Sequence, residues 1–521
     1  MTSESPQLRS LSLSAATQVW SMPELVSIIC ETADASSLVR LAQVNKTIFG
    51  VSLAELYYSV STNFPDILKI LAPTEVIGDR GLTFTRPLEE EDWIRFLRYT
   101  KFIKILDLRE MDTSAEVFCV MDATRPRELD DLFPYLKSFS CDSMGSSNSL
   151  SSLFFHKQLE CLTVKSWKHP LRLLQNIRPI ATSLQRLALV DSNMKLDVLT
   201  NAELIKLLHQ LSALYHLELP PPFITLQVFV ILAAKQNLRV LRMSLLDEWH
   251  AGDVGDVREL FPPFDYGFRF PEGGFPILKD LMIHDPSPDP HRHFTISSKL
   301  HNLRSLHTTL TGEPSFANVQ NYLQVLAHGF TALTSLVIDA SAVHDGFDSE
   351  ATFLMLQPLL SLSQLETFSF SNYDPVSLAD RHIEQMTRSW PLLISFTFCP
   401  RLFFEEGNTE MTLSALIAFI ENCKFLEELS IAVDTSINPP RELTDNLIFP
   451  NQFEMLNLLD STPGDVNNVA AFIADILPDE AVFYYEEDEH DAQSARMEKW
   501  RAISSLVELI RKAKRRAVRR V

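Results

Sequence analysis

Glycine is scarce in this sequence, with 14 residues among 521, which is under half the usual share of about 7%. A protein built around glycine-rich phosphate loops or collagen-like repeats is therefore not expected. The six cysteines form no C-x-x-C pair, and none stands at ligand spacing from a histidine. They predict the reduced, buried thiols of an intracellular protein.

Long apolar runs are also missing, since no stretch approaches the roughly 18 residues of a membrane span. Residues 1–20 lack the basic and apolar regions of a signal peptide. We therefore expect a chain that contacts no membrane and is located in the cytoplasm, the nucleus or both.

Catalytic signatures are absent too, because the sequence contains no G-x-S-x-G, H-E-x-x-H, Walker loop or G-x-G-x-x-G. The densest histidine group comprises His284, His291 and His293. Nothing completes it with cysteines or carboxylates at ligand spacing, so we interpret it as part of a solvated loop. We expect neither an enzyme nor a bound metal or cofactor.

Charge is plentiful but unevenly distributed. The net charge is −21, from 67 acidic and 46 basic residues, whereas residues 496–521 alone contain ten Lys or Arg and two acids. An acidic body repels phosphate backbones, so nucleic-acid binding by the main domain is not expected. The hydrophobic fraction of 46% is that of a folded chain.

One short sequence motif, here called the phrase, recurs through most of the chain. It consists of an apolar residue, two variable residues, an apolar residue, one variable residue and an apolar residue. Its alternation predicts a half-buried strand, and the stretches between copies have helical periodicity. With a mean period of about 29 residues, the repeats predict a parallel sheet with helices outside it. The thirteen copies begin at Ile103, Leu136, Leu159, Leu184, Leu214, Leu238, Leu278, Leu303, Leu333, Leu365, Leu393, Leu426 and Phe453.

This phrase resembles leucine-rich repeats over residues 91–478. The resemblance implies an α/β solenoid. The Asn that follows the last apolar position in the strictest repeats is mostly absent, and Ser192, Tyr373 and Asp434 lie at or near that place. We therefore expect an irregular horseshoe.

The repeat spacing widens to about 40 residues after Leu238, where the insert is rich in aromatic residues. Insertions in solenoids map to one face, often a binding face. The rings are either an exposed anchor for a partner or a loop that buries its own side chains. The outward positions of the central strands carry charge and imidazole, which indicate either a binding face or a merely soluble one. The candidate substrate-binding residues are Arg242, Trp249, Phe264, Tyr266, Phe268, Asp280, His284 and His307.

Ahead of the repeats, residues 20–62 predict three short helices. Ser21 and Pro23 are suited to begin the first, and Asp34 or Ser36 is suited to cap the second. The third surrounds Leu53. Three such helices bury little surface, so they need a partner, which is either the solenoid or another protein.

This helical segment resembles an F-box, and its pairing with repeats resembles fungal F-box proteins with leucine-rich repeats. The family's phrase is Leu-Pro-x-Glu-Leu, an Ile pair, Leu-x-x-Leu-Ala-x-Val and a final aromatic residue. It departs from the family at Met22, which replaces the opening Leu, and at Phe49, which replaces the usual Trp. The matching residues are Met22, Pro23, Glu24, Leu25, Ile28, Ile29, Leu38, Leu41, Ala42, Val44, Asn45 and Phe49.

The resemblance implies that the F-box docks on a Skp-family adaptor and through it on a cullin. The chain would then be the substrate-recognition subunit of an SCF-type ubiquitin ligase. Its repeats would bind an unknown protein substrate, and the chemistry would occur on other subunits. The residues that the resemblance assigns to adaptor binding are Met22, Pro23, Glu24, Leu25, Ile28, Leu38, Leu41 and Val44.

The alternative is a stand-alone leucine-rich scaffold or sensor in which the first helices only cap the solenoid. Accessibility distinguishes the two, because docking requires Pro23, Leu25 and Leu41 to be accessible, whereas a cap buries them in the first repeat.

Four other segments complete the predicted organisation. They are a disordered amino terminus at 1–19, a linker at 63–90, an acidic linker at 479–491 and a basic helix at 492–521. The basic helix has an apolar face that includes Met497 and Trp500 at helical spacing. Its cationic end is either a terminal cap that suits the helix dipole, a nuclear localisation patch or a contact for acidic surfaces.

Overall fold

The computed structural model describes most of the chain and divides into two compact units. The first contains residues 1–191 and 196–216, and the second contains 192–195 and 217–521. The described residues are 19–20, 22–62, 64–76, 82–108, 115–126, 131–144, 149–190, 196–243, 273–285, 300–310, 316–340, 349–372, 376–400, 409–437, 447–459, 461–485 and 495–518.

Three consecutive short helices of the first unit, α1 to α3, form a group in which α1 and α2 both pack on α3. Asp34 caps α2 by accepting a hydrogen bond from the Ser37 backbone N–H at 2.9 Å, and Asn45 caps α3 in the same way. Ser21, predicted to cap the first helix, lies outside the described residues. The three helices are α1 (Pro23–Glu31), α2 (Ala35–Leu41) and α3 (Lys46–Leu56).

The described residues of the first unit also form strands β1 to β7 and helices α4 to α9. Strands β1, β4, β5, β6 and β7 are parallel neighbours in that order, whereas β2 and β3 form an antiparallel pair. The strands are β1 (Ser59–Val60), β2 (Thr74–Val76), β3 (Leu82–Phe84), β4 (Ile105–Leu108), β5 (Ser138–Met144), β6 (Cys161–Trp167) and β7 (Arg186–Leu189). The helices are α4 (Phe64–Leu71), α5 (Glu90–Thr100), α6 (Ala115–Thr124), α7 (Ser149–Phe154), α8 (Pro170–Ile177) and α9 (Val198–Gln210).

Residues 63–90, predicted to be a linker, instead contain α4 and the β2–β3 pair. Phe64, Ile67, Leu68 and Leu71 recur at helical spacing and form one buried face of α4. This apolar face makes the segment part of the core of the first unit.

A buried carboxylate joins three elements of this region. Asp92, at the start of α5, accepts two hydrogen bonds from Arg86 at 2.6 and 2.7 Å and one from Arg95 at 2.8 Å. Arg95 also donates to the backbone oxygens of Ile70 and Leu71 at the end of α4. The network therefore ties α4 to α5 and to the segment after β3.

This network predicts a pH-dependent stability. The hydrogen bonds from Arg86 hold the pKa of Asp92 at about 2, below its usual 3.8. Because the folded-state pKa is lowered, the stabilisation is complete above pH 3.8 and is lost as the pH falls through about 2. At neutral pH it amounts to about 2 kcal/mol. We expect Asp92→Asn to lower the free energy of unfolding by this amount.

Urea unfolding of both proteins between pH 6 and pH 3 tests the Asp92 prediction. The difference in unfolding free energy should shrink by roughly half by pH 3. A difference that stays constant over this range would contradict the assignment to Asp92.

In the described part of the second unit, the parallel strands β9 to β17 follow one another in chain order. The boundary between the units falls inside β8 (His216–Leu219). The strands are β9 (Val240–Met243), β10 (Asp280–Asp285), β11 (Ser305–Leu310), β12 (Ser335–Ala340), β13 (Thr367–Asn372), β14 (Ser395–Pro400), β15 (Glu428–Ile431), β16 (Met455–Asn457) and β17 (Val482–Tyr484).

In the described part of the chain, helices connect most of these strands, and short 3-10 helices occur at Arg178–Ile180, Pro221–Phe223 and Gln357–Ser361. The α-helices of the second unit are α10 (Leu226–Ala233), α11 (Phe316–Gly329), α12 (Ser349–Leu356), α13 (Asp380–Ser389), α14 (Ser414–Asn422), α15 (Val466–Ile476) and α16 (Ala495–Val518).

Every copy of the repeated phrase forms a strand that begins at the third residue of the copy. Its three apolar positions point into the core, as Leu333, Leu336 and Ile338 illustrate with no exposed surface. The prediction of a mixed α/β fold with a long parallel sheet is therefore confirmed. Strand β17 adds a correction, because it lies within 479–491, the predicted acidic linker, and pairs with β16.

The carboxy-terminal helix covers the end of the second unit. On α16, Met497, Trp500, Ile503 and Val507 are buried. Arg511 donates to the backbone oxygens of Pro478 and Asp479, and Lys514 donates to Ala474 O at 3.0 Å and to Asp475 at 2.6 Å. These cations satisfy carbonyls at and just after the end of α15, which favours the terminal-cap interpretation.

Candidate functional site

Helices α1 to α3, here called the helical module, have a small core of their own. Val26 and Cys30 of α1 meet Leu38 of α2 and Ile48 of α3 there, and all four are buried. Leu41 is partly buried against the same cluster. This core uses only one face of α1 and leaves its other face to solvent.

The opposite face of α1 is apolar and exposed. Met22 is 48% exposed, Leu25 is 38% exposed and Ile28 is 58% exposed. Leu25 and Ile28 are three residues apart and lie on the same side of α1, and Met22 is the N-cap residue directly before the helix. We call these three exposed residues the α1 stripe. Apolar side chains scattered singly on a surface need no explanation, but a contiguous group indicates an interaction site.

The structure separates the other sequence-predicted adaptor residues into three groups. Pro23, Glu24 and Val44 are exposed, and Leu41 is partly accessible. Leu38, however, is only 5% exposed and packs in the module core. Its side chain therefore stabilises the module and does not reach a partner, because the helix turns that face inward.

Two exposed apolar residues of the module were not among the predicted site residues. They are Val39, on α2, and Phe49, on α3. Phe49 occupies the aromatic position of the F-box phrase, which is the signal that could have identified it. Val39 lies off the face that Leu38, Leu41 and Ala42 share at helical spacing, and this spacing is the signal that could have placed it in solvent.

The second candidate surface is the solvent face of the central strands. Arg242 donates to both carboxylate oxygens of Asp280, at 3.1 and 2.9 Å. These hydrogen bonds raise the pKa of Arg242, and the nearby carboxylate of Glu218 raises it further. The structure thus joins two of the predicted substrate-binding residues into one ion pair.

A second pair lies on the next strands of the same unit. His307 Nε2 and an Asp339 carboxylate oxygen are 2.7 Å apart. Arg242 and His307 thus each have a carboxylate partner, and a ligand that uses either side chain has to compete with that carboxylate. The backbone of His284 belongs to β10, but its side chain lies outside the described residues, as do Trp249, Phe264, Tyr266 and Phe268.

The described side chains offer no assembled chemistry of the usual kinds. Burial raises the pKa of the Cys141 and Cys423 thiols to about 12, so both are protonated at neutral pH and are poor nucleophiles. Within the described residues, no three His, Cys, Asp or Glu side chains converge as metal ligands. In the same part of the chain, no helix is both long enough and apolar enough to cross a bilayer.

Comparison with known proteins leaves the family of this chain unassigned. No family model matches the sequence, and no curated protein matches it. A chain of the yeast Rad7–Elc1 complex is 15% identical, with a TM-score of 0.36, over 77% of this chain and 98% of that one. A leucine-rich-repeat protein of Leptospira interrogans is 13% identical, with a TM-score of 0.31, over 73% and 97%. These scores are too low to carry an argument about function.

Proposed function

We propose that this chain is the substrate-recognition subunit of an SCF-type ubiquitin ligase. The helical module would act as an F-box that docks on a Skp-family adaptor and through it on a cullin. The repeat strands would bind the substrate protein. The single observation that carries this proposal is the exposed α1 stripe of Met22, Leu25 and Ile28.

The α1 stripe supplies the energy that such docking requires. Burying one large aliphatic side chain contributes about 1.5–3 kcal/mol, so three of them contribute several kcal/mol. The module core excludes these side chains, hence a partner can bury them without disturbing the packing of α1 on α3.

The chain's contribution to ubiquitin transfer would be proximity. Holding a substrate lysine near the conjugating enzyme raises the effective concentration of the two reacting groups without any catalytic residue in this chain. The repeats would select the substrate, and the module would connect it to the ligase.

Recovery of the adaptor with the full-length chain tests the proposal. The tagged chain is captured from host lysate, and the Skp adaptor and the cullin are detected by immunoblot. We expect both to be recovered with the unmodified chain and lost with Pro23→Ala combined with Leu25→Asp. Both positions are exposed, so the substitution should leave the fold intact.

The matched control is Val230→Asp, which places the same charge at an exposed apolar position on α10. It should keep the adaptor, and circular dichroism should be the same for all three proteins. Recovery of the adaptor with neither the unmodified chain nor the control would contradict the proposal.

One observation favours the alternative of a scaffold whose helical module caps the repeats. Only two residues separate the end of α3 from β1, which pairs in parallel with β4. Lys104 and Ile105 also donate backbone hydrogen bonds to Tyr58 O, each at 3.0 Å. The module is thus continuous with the first strand of its unit. The adaptor-recovery experiment distinguishes a ligase subunit from a scaffold whose module caps the repeats.

A further inference from the structure

In the second unit, the second residue of each repeat copy from Leu238 onward belongs to a row along one edge of the sheet. We call this row the sheet rim. Its first three positions are Arg239, Lys279 and Arg304, which we call the basic segment. After the neutral Thr334, the rim becomes acidic.

Backbone hydrogen bonds fix the rim as a row of direct neighbours. Lys279 N donates to Arg239 O, and Arg304 N donates to Lys279 O, both at 2.8 Å. In the same way, Thr334 N donates to Arg304 O at 2.8 Å, and Glu366 N donates to Thr334 O at 2.7 Å. Adjacent strands lie about 4.8 Å apart, so the backbone positions of the three basic residues lie within about 10 Å of one another.

The same row continues as an acidic segment on later strands. It consists of Glu366, Glu427 and Glu454, with Ile394 between the first two, and the same type of bond links each position to the next at 2.7–2.8 Å. The rim therefore changes sign once along its length, from three cations to three carboxylates.

These side chains lie largely in solvent, although Arg304 also donates a hydrogen bond to the backbone oxygen of Ala332 at 3.2 Å. Arg239, Lys279, Arg304, Glu366 and Glu454 are exposed, and the sixth, Glu427, is half-buried. In the described part of the chain, none of the six side chains forms an ion pair, in contrast to Arg242, which lies on the same sheet and is paired with Asp280.

Like charges on neighbouring strands destabilise a sheet. Grouping the cations on one part of the rim and the carboxylates on another therefore lowers the stability of the unbound protein. Interspersed charges would keep the protein equally soluble at lower cost. The screening length is about 8 Å at physiological salt, so the three cations act together on a ligand. The chain around them carries a net charge of −21, which makes three adjacent unpaired cations a local exception.

We propose that the basic segment binds a carboxylate-rich peptide segment of a partner protein. Three positive side chains side by side match successive carboxylates of such a segment. The acidic segment of the rim repels the same peptide and so sets where along the sheet it binds. This proposal concerns a surface separate from the α1 stripe and holds whether or not the helical module binds an adaptor.

Fluorescence anisotropy with the full-length chain tests the inference. The probe is a labelled twelve-residue peptide of alternating Glu and Ser, and the variant carries Arg239→Glu, Lys279→Glu and Arg304→Glu. We expect the unmodified chain to bind the peptide more weakly as salt rises. The triple variant should bind about tenfold or more weakly than the unmodified chain.

The control for net charge carries Arg98→Glu, Lys168→Glu and Arg172→Glu, three exposed positions in the first unit. It should bind within about twofold of the unmodified chain. Equal loss in both variants would overturn the inference, because the effect would then come from total charge.

A second probe distinguishes carboxylate from phosphate. It is a peptide of the same length with two phosphoserines and no Glu. Binding of this peptide alone would overturn the proposal of a carboxylate-rich partner. Adaptor recovery with the triple rim variant should equal that of the unmodified chain. Loss of peptide binding by the rim can therefore be distinguished from loss of adaptor binding by the helical module.

Discussion

Replacing Trp500 with Ala should destabilise the carboxy-terminal end of the second unit by about 3–5 kcal/mol. Trp500 has no exposed surface. Its Nε1–H donates to Ser461 O at 3.0 Å, and its ring stacks on Tyr485 with centroids 5.9 Å apart. The substitution removes the largest apolar contact of α16 and leaves Ser461 O without this donor.

Hydrogen exchange in α15 and α16 measures this effect, because it reports the local free energy of opening. Amides of both helices should lose protection in Trp500→Ala. The control is Leu509→Ala, since Leu509 is exposed on the same helix and should leave protection within about 0.5 kcal/mol of the unmodified chain. Unchanged protection in Trp500→Ala would show that α16 does not act as a cap.

The basic residues of α16 add to the same argument. Arg511 is buried and its contacts with Pro478 O and Asp479 O need the helix to be docked. Arg511 therefore stabilises the docked helix and is not accessible to a partner. Lys512, Lys514, Arg515 and Arg516 remain exposed, but Lys512 pairs with Glu508 at 2.8 Å, and Lys514 and Arg515 also contact the end of α15 and the segment after it.

Most of the parallel sheet could be predicted because the spacing of apolar residues within each repeat copy is sufficient to predict one strand. In a copy such as the one at Leu365, three buried side chains at fixed spacing are compatible with one register only, since a shift by one residue would place Phe368 and Phe370 in solvent. The same constraint repeats along the chain, so an error in one copy does not affect the others.

The first and last strands could not be predicted in this way. β1 (Ser59–Val60) and β17 (Val482–Tyr484) belong to no copy of the phrase. Each becomes a strand because its neighbour presents unpaired backbone groups, as when Val482 N donates to Glu454 O at 2.7 Å. That is a tertiary effect, and local sequence carries little sign of it.

The candidate site was only partly predictable for a different reason. In α1, Leu25, Ile28 and Ile29 form an apolar stripe at helical spacing, but Val26 beside them is apolar too. Which of them enters the core depends on how α1 packs on α3. The structure turns Val26 inward and Ile28 outward, and it buries Leu38, which sequence similarity alone had placed at the docking surface.

That difference between faces gives a sharp test of the proposed adaptor site. We expect Ile28→Asp to weaken binding of the purified Skp-family adaptor by about 2–4 kcal/mol, which is roughly 30- to 1,000-fold in Kd. Ile28 is the most exposed residue of the α1 stripe, so a partner that covers the stripe desolvates it almost completely. A carboxylate there loses the apolar contact and has to be buried without a partner.

Isothermal titration calorimetry with the full-length chain measures the change, and two variants complete the design. Val26→Asp alters the buried face of the same helix and should lose both adaptor binding and hydrogen-exchange protection in the helical module. Ile28→Asp should lose binding alone, because its side chain makes no contribution to the module core. Val230→Asp should retain both. If Ile28→Asp bound the adaptor as tightly as Val230→Asp, the α1 stripe would not be the docking surface, and the module would be better explained as a cap on the repeats.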